Sequence, residues 1–318
     1  MTTTVSRFQQ LIEKNQVAVS TRRKVTNIVM LVITGLMTIL ALIPLFWIIG
    51  YVIYKGGQYI NLDFFIHTPR PLGIEGGGVL HAIEGTLIIS ALGSLIAIPP
   101  GILAAFYAAN NPNTPLGIAL RFSTDVLSGV PSIVIGLFVY AVLVKPMGHY
   151  SGFAGGVAMA ILMLPTIIRT TEEMLKLVPH TLREASLGLG APEWRTSISV
   201  VLPAAMSGIA TGILLSIARA AGETAPLLFT ALGNERYDLG LIVQSGIAQR
   251  QGLGEILKRI FDQPADSLPL TLWKYAQQPY PERINQSWAV ALVLMIVILL
   301  FNILARLWVE NRKRRLQG

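Results

Sequence analysis

Cysteine is absent from the sequence, so no disulfide exists and cysteine usage cannot report the redox compartment. Charge is scarce: charged residues make up 13% of the chain, apolar residues make up 53%, and mean hydropathy is +0.59. That balance marks an integral membrane chain. The histidines, His67, His81, His149 and His180, are scattered and form no His-Glu-x-x-His pair, so no metal site is expected. There is no Gly-x-Ser-x-Gly elbow and no full dinucleotide fingerprint. The glycine run Gly76-Gly77-Gly78 has no Lys-Ser or Lys-Thr after it, so it is no P-loop and is expected to be simply flexible. Nothing in the chain can hydrolyse ATP by itself.

The charge that is present is mostly basic, with a net of +8. These residues sit beside apolar runs and do not gather in one groove, which argues against nucleic acid. Six apolar runs are expected to span a membrane, at 28–54, 85–109, 126–144, 152–168, 196–218 and 287–305. Trp47, Tyr51 and Tyr54 close the first as interfacial anchors. Pro99-Pro100 is expected to break the second, and Pro131 and Pro165 to kink the third and fourth. Gly208, Gly212, Ala204, Ala205, Ser207 and Ala218 make the fifth small-sided and suited to close packing. Residues 1–27 read as an uncleaved polar tail, because no short apolar core with a cleavage site follows the basic start. Arg7, Lys14, Arg22, Arg23 and Lys24 before the first span, and Arg306, Arg312, Lys313, Arg314 and Arg315 after the last, predict that both termini are cytoplasmic.

The polar block 172–203 lies between the fourth and fifth runs. A connection of this length in a membrane chain points to a task beyond joining two spans. Its middle predicts a short helix. Pro179 fits the first turn, Leu182, Ala185 and Leu189 share a face, and Gly188 and Gly190 can end it. Glu184-Ala185-Ser186, Gly190, Val200 and Leu202-Pro203 closely follow the signature loop of binding-protein-dependent ABC importer permeases. That signature reads Glu-Ala-Ala, three residues, Gly, nine residues, Ile, one residue, Leu-Pro; here Ser186 replaces an Ala and Val200 an Ile. In the family this loop forms the coupling helix that docks on the ATPase subunit.

A second polar feature stands inside or near the end of the fifth span. Arg219 and Glu223 stand four apart in apolar surroundings, and Gly222 and Pro226 can loosen the helix there. A charge at mid-membrane costs roughly 3 kcal/mol on insertion scales, so such residues face a pore, a cavity or a partner. Two readings stay open: the residues pair with each other, or Arg219 offers its planar fork to phosphate oxygens. Glu84 and Asp125 flank the second and third spans and read as interfacial or capping groups.

The run 218–231, with Leu-Pro-Leu-Thr-Leu-Trp-Lys-Tyr-Ala at 268–276 and Phe-Asn-Ile-Leu-Ala-Arg at 301–306, resembles the permease subunits of the high-affinity phosphate importer, the PstA type. The resemblance covers roughly 28–310. It implies an all-α integral membrane protein with six transmembrane helices and the type I ABC importer permease fold, in the bacterial inner membrane. It implies tails at 1–27 and 311–318, a coupling loop at 172–203 and a periplasmic loop at 233–286. Residues 234–266 look longer than the family pattern, and 239–247 and 253–260 are expected to be amphipathic helices.

The implied partners are a homologous second permease (PstC type), two ATPase subunits (PstB type) and a periplasmic or lipid-anchored phosphate-binding protein (PstS type). No cofactor is expected on this chain; ATP and Mg belong to the ATPase. The site residues implied are Arg219 and Glu223 in the pathway, and Glu184, Ala185, Ser186, Gly190, Leu202 and Pro203 in the coupling loop. The competing readings are an importer of another oxyanion, such as molybdate or sulfate, an ion-coupled secondary phosphate carrier, which usually shows repeated halves, and a membrane scaffold or sensor without transport.

Overall fold

The structure, a computed structural model, describes residues 2–71 and 76–317; of the side chains, those of 2–21, 305 and 308–317 are outside it. The tail cations Arg7, Lys14, Arg312, Lys313, Arg314 and Arg315 therefore lie outside the described residues. The chain divides into two compact units, Met1–Tyr54 and Lys55–Gly318. The first is a single helix, part of α1 (Thr2–Gly57), whose apolar stretch Arg22–Gly57 is long enough to cross a membrane. The expected tail 1–27 is thus helical from Thr2 onwards.

The second unit is all helix among the described residues, apart from one isolated bridge between Pro69 and Gly77. After the short α2 (Leu62–Ile66), α3 (Leu80–Asn110) forms the first long helix. It runs through Pro99 and Pro100 without the expected break. Both prolines sit on its exposed face, so the bonds they forgo lie away from the packed side. α4 (Pro115–Gly129) and α5 (Ser132–Met147) follow, then α6 (Gly152–Lys176). The span expected at 126–144, with a kink at Pro131, is corrected in its bounds: the bent pair runs from Pro115 to Met147. α4 and α5 meet at Val130-Pro131 with a bend of 104°, because Pro131 cannot continue the ladder and holds Val130 extended. Counting α4–α5 as one crossing, the described residues hold six candidate spans; counting straight helices alone, five.

α6 also differs from expectation. It passes through the buried Pro165 and continues eight residues beyond 168, to Lys176. α3 and α6 form the central pair. Their close approach depends on small residues: a Cβ at Gly93 would press on Met159, and one at Gly156 on Leu92. α8 (Glu193–Ala221) packs on the other side of α6, with Gly208 against Met174 and Gly212 against Thr170. The small-sided face expected of the fifth span is thus a packing face. Ala205 and Ala218 are buried on it too, whereas Ala204 is exposed.

Four further helices complete the unit before α13 (Pro281–Gln317): α9 (Ala225–Thr230), α10 (Leu239–Ala248), α11 (Leu253–Asp262) and α12 (Leu268–Ala276). The two helices expected in 234–266 are α10 and α11. α12 was not foreseen as a helix. Ser267 caps it by accepting from the amide of Leu270, and Pro269 fills its first turn. One core joins these elements to the central pair: Ile89, Met159, Met163, Leu227, Tyr237 and Leu270 are all buried in it. The described glycines of the 55–81 loop are held, not loose. Gly77 bridges to Pro69, and Gly78 donates to the Thr68 carbonyl at 3.2 Å.

Candidate functional site

The coupling stretch is mostly helix. α7 (His180–Gly188) starts after Pro179, which sits one position earlier than expected, at the cap. The loop proper is 177–192, since 172–176 continue α6 and 193–203 belong to α8. Gly190 has φ +84°, donates to the Leu187 carbonyl at 2.9 Å, and is followed by Ala191, which donates to the Ser186 carbonyl at 3.2 Å. This is a left-handed glycine terminus with both of its bonds made. Gly190 ends the helix; Gly188 is still within it.

α7 presents Leu182, Leu187 and Leu189 outward, and Trp194 is exposed beside them. Leu189 is 90% exposed. Glu184 and Ala185 share this exposed side. Two bonds fix the helix from behind. Arg183 donates to Asn110 Oδ1 at 2.6 Å, and Ser186 Oγ lies 2.8 Å from Thr196 Oγ1. Ser186, a departure from the signature, thereby ties α7 to the start of α8. A cavity of about 210 Å³ behind α7 is lined by Asn110, Lys176, His180 and Arg183 among others.

Leu202 and Pro203 lie inside α8, just after a widened turn over Ser197–Val201. There the Leu202 amide reaches back five residues to Ser197, so the turn makes room for a proline that could not join a regular ladder.

The intramembrane pair sits at a helix break. α8 stops at Ala221, Gly222 caps it by donating to the Arg219 carbonyl at 3.1 Å, and α9 restarts at Ala225 with Pro226 in its first turn. Arg219 lies in the last turn of α8, and Glu223 just precedes α9. Each charge therefore has the sign that its helix end favours. They are only loosely paired: Arg219 Nε is 4.0 Å from Glu223 Oε1, beyond hydrogen-bond range. The Arg219 side chain is 66% exposed, that of Glu223 22%.

A third constellation was not read from the sequence. Glu172 Oε1 is 2.6 Å from Arg121 Nε and also 2.6 Å from Lys176 Nζ. Arg121 further donates to the carbonyls of Ala108 and Pro112, at 2.8 and 3.1 Å. One buried carboxylate thus joins the end of α3, the turn after it, α4 and α6. The available signal was Arg121, the one cation of an apolar helix whose only other charge is Asp125. Of the flanking acids, Glu84 is a cap in the expected sense, accepting from the Leu239 amide at 2.8 Å, while Asp125 pairs loosely with Arg169 at 3.4 Å. Among the described residues no cluster of His, Asp or Glu is suited to a metal.

Residues 101–317 match the family described as "Binding-protein-dependent transport system inner membrane component". The chain is 40% identical over 292 residues to "Phosphate transport system permease protein PstA" of Yersinia pestis, covering 92% of each. The chain belongs to this permease family, in its PstA-type branch. A second relative, "Phosphate transport system permease protein PstA 1" of Mycobacterium tuberculosis (strain ATCC 25618 / H37Rv), is 36% identical over 301 residues, covering 93% of this chain and 92% of its own. In fold, the permease is similar to a chain of the MetNI methionine ABC transporter in an inward-facing conformation. The TM-score is 0.54 at 15% identity, over 73% of this chain and 95% of that one. The expected type I importer permease fold is thereby established.

Proposed function

We propose that this permease forms half of the membrane pathway of an ATP-driven importer of inorganic phosphate. The observation that carries the reading is Arg219, a loosely paired and largely exposed guanidinium in the last turn of an apolar span, at the break that ends it. It stands in a chain whose relatives are named phosphate transport permeases. An anion crossing a low-dielectric path needs a compensating positive charge. The planar fork suits phosphate oxygens, and Glu223 nearby keeps the site from holding the anion too tightly for release.

A guanidinium open on one side of a membrane chain implies a neighbour, and a homologous second permease of the PstC type supplies it. ATP, with Mg, is bound and hydrolysed on two PstB-type subunits that grip α7, while a PstS-type binding protein delivers phosphate. In this arrangement both termini are cytoplasmic, which brings α7 within reach of the ATPase. Cysteines placed singly at positions 3 and 317 should then resist a membrane-impermeant thiol reagent in intact cells; labelling of either overturns the orientation.

The deciding experiment is uptake of radiolabelled phosphate by the reconstituted complex. Arg219→Gln should abolish uptake while membrane insertion and ATPase copurification persist, and Arg219→Lys should restore it only in part. Normal uptake by the Gln variant would place the pathway elsewhere. Suppression of uptake by equimolar molybdate or sulfate would reassign the substrate oxyanion.

A further inference from the structure

The short helix α9 lies, at the end opposite Glu223, against an ion pair whose acid, Asp266, is fully buried and whose cation, Lys274, is partly exposed. Asp266 is 0% exposed; its Oδ2 accepts from Lys274 Nζ at 2.9 Å, and its Oδ1 accepts from the Ser267 amide at 2.9 Å. Its backbone is seated on α3, where a Cβ at Gly85 would collide with the Asp266 carbonyl. One residue further on, the Leu268 amide donates to Thr86 Oγ1 at 2.8 Å. Asp266 is therefore a fixed point.

The turn that leaves α9 rests on this pair. Leu232 and Gly233 have φ values of +56° and +84° in succession. For a leucine the left-handed region is strained, and it persists where the surroundings over-determine the backbone. The turn lies directly on the pair: a Cβ at Gly233 would run into Lys274 Nζ and would lie 2.8 Å from Asp266 Oδ2. α9 is also gripped along its length, since the Thr230 carbonyl accepts from the Ser151 amide at 3.1 Å and Pro226 lies against Gly136 of α5. At six residues, α9 spans the whole distance between this turn and the Arg219–Glu223 break.

We propose that Asp266 and Lys274 are positioning residues for the pathway: through the Leu232-Gly233 turn and α9 they set where Glu223, and with it the α8 break bearing Arg219, is held. The proposal rests on the reading of Arg219 and Glu223 as pathway residues. Neither Asp266 nor Lys274 touches the transported anion. The pair is one of the few ionic contacts of the segment between α9 and α13, and it falls where the backbone of that segment turns back.

The chain has no cysteine, so a single one reports locally. One is placed at Gly222, which is exposed and has only ordinary contacts for a Cβ, and a control at Met206, also exposed but nearer the start of α8. Labelling rates are compared in the assembled complex with and without Lys274→Met. The expected result is a several-fold change at position 222, none at 206, and a raised phosphate concentration for half-maximal uptake. An unchanged rate at 222 would reduce the pair to a local rivet and overturn the proposal.

If Lys274→Met does not assemble, the double variant Asp266→Asn/Lys274→Met, which leaves no unpaired buried charge, decides by the same comparison. Failure of the double variant to assemble makes the pair architectural and overturns the proposal as well. A shift at 222 with unaltered uptake would support the positioning link while removing Arg219 and Glu223 from the pathway, so the two readings fail separately.

Discussion

Two arginine–glutamate constellations in this permease use the same residue types for opposite ends. At Arg121–Glu172–Lys176 a nearly buried carboxylate is met by two cations at 2.6 Å, and the guanidinium's remaining donors find backbone carbonyls. At Arg219–Glu223 the partners stand 4.0 Å apart and the guanidinium is mostly exposed. The guanidinium of the first is largely engaged by the carboxylate and the two carbonyls. The second retains donor capacity in surroundings where unpaired charge is costly, which is what a transported anion or a partner subunit can satisfy. What separates a scaffold charge from a working charge is thus how completely its neighbours satisfy it, not its identity.

The largest effect that tests this contrast is on stability at the first site. Glu172→Ala removes the buried acid and leaves Arg121 and Lys176, which are 31% and 52% exposed, to be solvated by water. Losing charge-assisted hydrogen bonds of this kind costs about 2 kcal/mol, so the Tm of the purified complex should fall clearly. Arg219→Gln should do the reverse: uptake is lost, while Tm moves by no more than the equivalent of about 0.5 kcal/mol, as for a weakly paired exposed charge. A large loss of Tm in Arg219→Gln would erase the distinction between the two sites.

Gly190→Val comes next. A β-branched residue forced to positive φ costs roughly 1–2 kcal/mol locally, so α7 should lose its terminus and ATPase copurification should drop while the chain still inserts. Undiminished copurification would make the loop a mere connector.

The smallest effect is a pH dependence at the exposed His149. Its Nε2 is 3.1 Å from Asp262 Oδ1 and its Nδ1 is 3.0 Å from the Met147 carbonyl. Bonding to Asp262 first, and to the Met147 carbonyl second, raises its pKa above the usual histidine value. A raised folded pKa means that the contact contributes fully below about pH 6.5 and fades as pH rises through the folded value. The link between the loop after α5 and the end of α11 should therefore weaken in mildly basic solution. A slight fall of Tm between pH 6 and pH 8 should disappear in His149→Gln; an identical fall in the variant would assign the dependence to another group.

Much of this architecture was legible from local pattern. Uninterrupted apolar length marked the spans, and the glycine and leucine-proline spacing marked the coupling helix. Gly222 and Pro226 around Arg219 and Glu223 marked a weakened helix, which the structure resolves into a break. Prolines were an uneven guide. Pro131, expected to kink the third span, produces a 104° bend, whereas Pro99-Pro100, expected to break the second, stays inside a continuous helix. Whether a proline breaks a helix depends on what neighbouring elements do to hold it, and that is not written beside the proline. The glycines at 76–78 misled in the same way. They read as flexible, but Gly77 and Gly78 serve close backbone approach to Pro69, Thr68 and His67.

The sequence by itself determined the membrane class, the family, the short helix α7 with its glycine end, and the presence of two opposite charges beside a weakened stretch of helix. Each follows from residues within a few positions of one another, where periodicity and dihedral preference act. Only the tertiary structure decided which charges are consumed. Arg121 and Glu172 are 51 residues apart, and Asp266 and Lys274 matter because the Leu232-Gly233 turn lands on them. Satisfaction of a charge depends on distance and burial in space, and those exist only once α3, α6 and the segment after α9 have packed together.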